Sequence, residues 1–220
     1  ELYHRGVRNF VVTEVPANYA SDYPQANFLK VVDSLESLQR LAERHRDEFN
    51  IPIVGITGSN GKTMVKEWLN QLLSDDLFVT RSPRSYNSQV GVPLSVWLLN
   101  EHSQVGVFEA GISQPGEMLA LRDIIQPTIA VLTNLGDAHQ ENFVSREAKC
   151  KEKLVLFHDA KIVVYNGDDS LISDCVNALE DFRGERLYWS CSDHNAPFFV
   201  KSIEKKATAT TITYIYKGIE

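Results

Sequence analysis

The run Gly55-Ile56-Thr57-Gly58-Ser59-Asn60-Gly61-Lys62-Thr63 carries the strongest chemical signal in the chain. It follows a short apolar run and opens an amphipathic one, so it reads as a strand-to-helix turn. In that context backbone N–H groups and the start of a helix can hold phosphate oxygens. Glycines let the backbone approach an anion closely and take positive φ. Lys62 would reach the β- and γ-phosphates of a nucleotide, and the Thr63 hydroxyl would meet a Mg²⁺ ion. Gly58, Ser59, Asn60 and Gly61 supply the cradle. A glycine-rich turn that binds nothing is the bland alternative, but packing gives no reason for Gly-Lys-Thr at such a junction.

Two further side chains have suitable chemistry. Glu109 closes the apolar run Val105-Gly106-Val107-Phe108, and His139 lies in Thr133-Asn134-Leu135-Gly136-Asp137-Ala138-His139. Taken singly, the first is a surface carboxylate and the second a loop histidine. Both follow strands, however, and loops at the carboxyl ends of parallel strands share one crevice. Mg²⁺ takes hard oxygen ligands and tolerates an occasional imidazole, so the two are expected to converge behind the phosphate loop.

The elements that must position these groups follow from periodicity. Apolar runs at 53–57, 105–109, 128–133 and 161–165 alternate with helical patterns near 62–74, 90–100, 115–125, 145–158 and 169–182. Such alternation predicts an α/β fold with a mostly parallel sheet and helices on both faces. Val65, Trp68, Leu69, Leu72 and Leu73 are expected to form the buried stripe of the helix after the phosphate loop. Residues 198–203 and 210–216 alternate with period two, as antiparallel strands do. Upstream, 27–32 reads as a strand. Asp33 reads as the N-cap of a helix over 34–49, with Glu36 at the third position of its first turn. Asn50-Ile51-Pro52 is the expected domain boundary, and Asn166-Gly167-Asp168-Asp169 reads as a turn and helix cap.

The chain has 220 residues, enough for one or two domains with a substantial core. Its net charge of -7 argues against a nucleic-acid partner. A nucleotide remains compatible, because local N–H groups outweigh net charge at such a site. Three cysteines without a CxxC pair fit a reducing compartment. No apolar run approaches a membrane span, and Glu1-Leu2-Tyr3-His4-Arg5 is no signal peptide. The sequence is expected to begin inside a domain and to stop short of a terminal cap.

The glycine spacing narrows the reading. The common phosphate loop has a glycine where this chain has Ile56, which counts against ordinary kinases, GTPases and motor ATPases. The spacing Gly55-x-x-Gly58-x-x-Gly61-Lys62-Thr63 resembles instead that of the Mur ligase family. Tyr86-Asn87-Ser88-Gln89-Val90-Gly91-Val92-Pro93 is similar to the substrate-side segment of the family's D-alanyl-D-alanine-adding branch. Phe108 to Met118 resembles that branch's metal-ligand strand and following helix, and Thr133 to Phe143 its third motif. Glu152-Lys153-Leu154-Val155-Leu156-Phe157 resembles the helix bearing the family's modified lysine. The likeness runs over about residues 7–165, and its wording is closest to a form fused, in some bacteria, to a C-terminal alanine racemase.

The resemblance implies a cytoplasmic, ATP- and Mg²⁺-dependent ligase, with UDP-N-acetylmuramoyl-tripeptide and D-alanyl-D-alanine as substrates. Residues 1–50 would end a smaller α/β UDP-substrate-binding domain, and 51–220 would be the ATP-binding domain, incomplete at its C-terminal side. Lys62 would be catalytic, and Thr63 and Glu109 would hold one Mg²⁺. His139 and a carbamylated Lys153 would serve a second; Lys151 is the alternative carbamylated lysine, and a solvated helix face suits Lys149. Asn87 and Gln89 would contact substrate, with loop capping as the plainer role. Another amino-acid or folate-polyglutamate ligase, and a phosphate-loop phosphotransferase, stay open as rival functions. A weak nucleotide-binding fragment, inactive by itself, stays open for this length of chain.

Overall fold

The structure is a computed structural model and describes residues 1–219. Its elements in chain order begin with β1 (Asn9–Val12), α1 (Tyr19–Asp22), β2 (Asn27–Lys30) and α2 (Ser34–Arg46). The central part follows with β3 (Ile53–Thr57), α3 (Lys62–Leu73), β4 (Val79–Arg81), α4 (Gly91–Val96), β5 (Val105–Glu109), α5 (Glu117–Ile125) and β6 (Ile129–Leu132). After these come α6 (Arg146–Leu154), β7 (Ile162–Asn166), α7 (Ser170–Asn177), β8 (Glu185–Ser190), β9 (Phe198–Lys205) and β10 (Thr210–Tyr216).

Strands β1 and β2 pair in parallel as a small sheet. The other eight form one sheet in the order β10-β9-β8-β7-β6-β3-β5-β4, parallel throughout except for the β9–β10 hairpin. The α/β class with helices on both faces is therefore as expected. The β3 strand is buried along its whole length because both faces are covered. Ile53 and Phe108 point into a large core shared with α2, α4, α5, α6 and α7. Val54, Ile56, Val105 and Val107 meet Val65 and Leu69 of α3 on the other side. After β3 the chain runs outward to β4, returns to β5, then crosses to β6 on β3's other flank. That reversal opens a crevice at the carboxyl end of β3.

Several expected boundaries shift. The stripe on α3 is narrower than its sequence suggests: Val65 and Leu69 face the sheet, but Trp68 and Leu72 are exposed. Two apolar rows lie side by side on this helix, and periodicity alone does not say which one is covered. The 169–182 helix stops at Asn177, with Leu179 and Phe182 packing into the same core from a turn. Strands β4 and β8 were not expected. The 198–203 strand pairs antiparallel with β10, but it also lies parallel to β8.

Helix α2 is held against the central part by side chains. Asp33 caps it, accepting from the N–H groups of Leu35 and Glu36. At its other end the buried Arg46 donates to the carbonyls of Phe49, Ile125 and Gln126, satisfying the open end of α5. The His45 ring stacks on Trp97, with centroids 4.4 Å apart.

The Asn166–Asp169 run is the expected turn and cap. Asp169 accepts from Ile172 N–H at the start of α7, while Asp168 ties the ends of β7 and β8. Burial alone would push the Asp168 carboxyl up. Donors from Ser190 and Ser192 and from the Cys191 and Ser192 N–H groups outweigh it and bring it down from 3.8 to about 2. A depressed carboxyl adds stability that is complete above its unfolded value and lost as pH falls through the folded one. Wild-type protein should therefore lose more stability than Asp168→Asn between about pH 5 and pH 2, as read from denaturant midpoints. Equal losses would remove Asp168 from that account.

Candidate phosphate and metal site

The phosphate loop turns on two glycines. Gly58 sits at φ 138°, where an added Cβ would fall 2.0 Å from Thr133 Oγ1. Gly61 sits at φ 81° and opens α3 without a side-chain cap, which leaves first-turn N–H groups to a ligand. The turn is stitched to the loop after β6. Ser59 N–H donates to Asn134 O and Asn60 N–H to Asn134 Oδ1, while the Thr133 hydroxyl donates to Asn60 O at 2.6 Å. Lys62 folds back to donate to Gly58 O at 2.8 Å, and burial pulls its ammonium below the usual lysine range.

Directly behind the loop, Glu109 is wholly buried at the end of β5. Its Oε2 accepts from the Thr63 hydroxyl at 3.0 Å and from the Asn87 amide at 3.3 Å. The Thr63 hydroxyl has one hydrogen, so its 3.1 Å contact with Ser85 Oγ must be an accepted bond. The Oε1 atom faces Lys66 Nζ at 2.9 Å, a charge contact without the direction of a hydrogen bond.

Gly58, Ser59, Lys62, Asn87, Ser113, His139 and Lys153 share one cleft of about 210 Å³. His139 is exposed at φ 58°, and its loop is held by Lys149, whose Nζ donates to Gly136 O at 2.5 Å. Lys149 is buried rather than solvated, because it stands four residues before Lys153 on the inner side of α6. Lys151 points outward and pairs with Glu147. Burial, reinforced by the charges of Lys62 and Lys149, brings the Lys153 ammonium down to about 8. Gln89 lies outside the cleft, donating to Glu117 O and accepting from Gln39. A larger cavity of about 520 Å³ lies among α5, α6 and the turn after α7, remote from the phosphate loop.

Among the described residues, no three His, Cys, Asp or Glu side chains cluster as a ready metal cage. Mg²⁺ does not need one: it keeps several waters and binds through one or two carboxylates plus substrate phosphates. A half-committed carboxylate beside a hydroxyl, at the edge of a phosphate cradle, fits that ion. Lys66, Lys149 and Ser85 are site residues that the sequence reading missed. For Lys66 a signal existed, a charge set between Val65 and Leu69 on the sheet-facing row.

A family model described as the Mur ligase middle domain matches residues 56–220. The UDP-N-acetylmuramoyl-tripeptide–D-alanyl-D-alanine ligase of Bacillus subtilis is 30% identical over 184 residues, 79% of this chain and 40% of that protein. The ligase of the same name from Treponema pallidum is 38% identical over 130 residues, 59% of this chain and 28% of its own. The solved structure of MurF ligase from Thermotoga maritima in complex with ADP matches with a TM-score of 0.84 at 27% identity. That match covers 98% of this chain and 48% of the other. The chain thus spans less than half the length of these relatives.

Gly58→Ala would force a methyl onto Thr133 and an alanine into a glycine conformation. The backbone term alone is about 1–3 kcal/mol, visible as a lowered Tm. A second change, Thr133→Ala, should recover at most the collision, less the bond its hydroxyl gives Asn60 O. Full recovery would mean that the loop tolerates the φ without strain.

Proposed function

Because the chain belongs to the Mur ligase family, we propose that the protein carrying it adds D-alanyl-D-alanine to UDP-N-acetylmuramoyl-tripeptide in an ATP-dependent ligation. The observation that carries this is the convergence of Lys62, Asn87, His139 and Lys153 on one cleft, beside the Thr63–Glu109 pair. A simple phosphotransferase has no use for the last two lysine and histidine positions. The tripeptide carboxylate attacks the γ-phosphorus of ATP, ADP departs, and the amine of D-alanyl-D-alanine displaces phosphate from the acyl phosphate.

In this reading Gly58 to Thr63 seat the triphosphate, and Lys62 neutralises charge as the phosphoryl group moves. Thr63 and Glu109 hold one Mg²⁺, and His139 with modified Lys153 a second. When bound there, Mg²⁺ would offset the repulsion between the attacking carboxylate and the phosphate. Asn87, already bonded to Glu109, reaches the acceptor side of the cleft. Gln89 serves by bracing that segment against α2 and the residue opening α5. Residues 1–50 end the UDP-substrate domain, with α2 as the part of it that packs onto the ATP-binding domain of 51–220. A racemase joined downstream is part of this reading on the likeness of the motifs alone, and the mass of the native protein would test it. The cytoplasm suits the reaction because ATP is supplied there, and all three cysteines are unpaired.

Lys153 is proposed as the carbamylated residue. With its amine near 8, roughly a tenth is uncharged at pH 7, against fewer than one in a thousand for an ordinary lysine. The free amine attacks CO₂, a C–N bond forms, and a proton leaves to solvent. An anionic carbamate then replaces a cation between Lys62 and Lys149.

In the full-length protein, phosphate release should require UDP-muramoyl-tripeptide together with D-alanyl-D-alanine, and glutamate or diaminopimelate should not substitute. Release with either of those alone would move the assignment to another branch of the family. Lys153→Ala should abolish turnover, with partial rescue by short carboxylates and loss of the bound CO₂ from the intact mass. Near-normal turnover by that variant would exclude Lys153.

A further inference from the structure

Lys66 is fully buried one turn beyond Thr63, and the reaction just described gives it no task. Three oxygens on separate elements surround its ammonium, two of them carboxylate and one a carbonyl that accepts its hydrogen bond. Glu109 Oε1 lies at 2.9 Å on β5, Glu67 Oε1 at 3.2 Å on α3, and the Arg84 carbonyl completes the set from the loop after β4. Walled in by these oxygens and fully buried, the ammonium keeps its charge against Glu109 Oε1.

The two oxygens of Glu109 are thereby divided. Oε1 is committed to Lys66, and Oε2 is turned toward Thr63 and Asn87 at the edge of the phosphate cradle. A cation arriving beside Thr63 meets one carboxylate oxygen. To chelate with both it would have to take Oε1 from an ammonium already in contact. Mg²⁺ is satisfied by single-oxygen carboxylate ligation in a tight octahedron, whereas Ca²⁺ takes more ligands and often both oxygens of a carboxylate.

We propose that Lys66 is a positioning residue that confines Glu109 to single-oxygen ligation and so sets a preference for Mg²⁺ over Ca²⁺. The proposal rests on the reading of Glu109 as a metal ligand. A lysine that only balanced charge would weaken both ions alike, so the ratio between them is the informative quantity.

The test measures ADP binding to the full-length protein by calorimetry, at stepped free Mg²⁺ or Ca²⁺, and needs no turnover. Relative to ADP alone in solution, wild type should show a Mg²⁺-over-Ca²⁺ ratio clearly above one, as expected of a single-oxygen site. Lys66→Gln should bring that ratio near one, and Lys66→Arg, which keeps a cation against Oε1, should retain it. A folded Lys66→Gln protein with both ions shifted by the same factor would overturn the proposal. So would a wild-type protein that shows no preference, a result that requires no variant to fold. Binding of ADP that neither ion promotes would instead bring down the metal-ligand reading of Glu109, and this proposal with it.

Discussion

A carboxylate sealed from water must be compensated where it stands, and Glu109 organises its surroundings through that requirement. Lys66 supplies the charge, Thr63 and Asn87 supply hydrogen bonds, and Ser82 accepts the residue's own N–H through its hydroxyl. These partners come from α3 and from the loop after β4, so satisfying one side chain fixes how both meet β5. Removing one partner of such a pair typically costs about 3–5 kcal/mol, far more than an exposed pair. The Gly58–Thr63 turn and the segment carrying Asn87 are thus held in register by a single buried charge.

The sequence showed the fold wherever a strand was long enough to have a period. β3, β5 and β6 fell within a residue of their expected limits, and with them the crevice that unites the loops. Strand β4 has three residues, Val79 to Arg81, too few to repeat anything. Strand β8 was hidden because Leu179 and Phe182 prolong the helical spacing after the helix has ended. Trp68 and Leu72 were misread for a related reason: spacing reports a stripe, and only the third dimension decides which stripe is covered.

The lysines of α6 show how far residue type goes without depth. Lys149, Lys151 and Lys153 are alternate residues, yet a helix turns them to different environments. Lys149 and Lys153 share its buried side, four residues apart, while Lys151 faces water. Burial depresses both ammonium groups, and the charges of Lys62 and Lys149 lower Lys153 further, which raises its uncharged fraction. The row on α3 marked Lys66 as turned inward, but the partners of Lys66 and Lys149 were not legible because both act on groups distant in sequence, Glu109 and the carbonyl of Gly136.

Helix α2 precedes the large sheet in sequence but is clamped to it by Arg46 at one end and joined through Gln39 to Gln89 in its middle. Just ahead of its cap stands Val32, 98% exposed, with no packing to lose. A swing of the β1–β2 lobe would therefore pivot at that valine, ahead of Asp33, and leave the whole of α2 riding with the large sheet. Gln89 would keep its bond with Gln39 through such a swing, and the chain at 31–33 would link the lobe to α2.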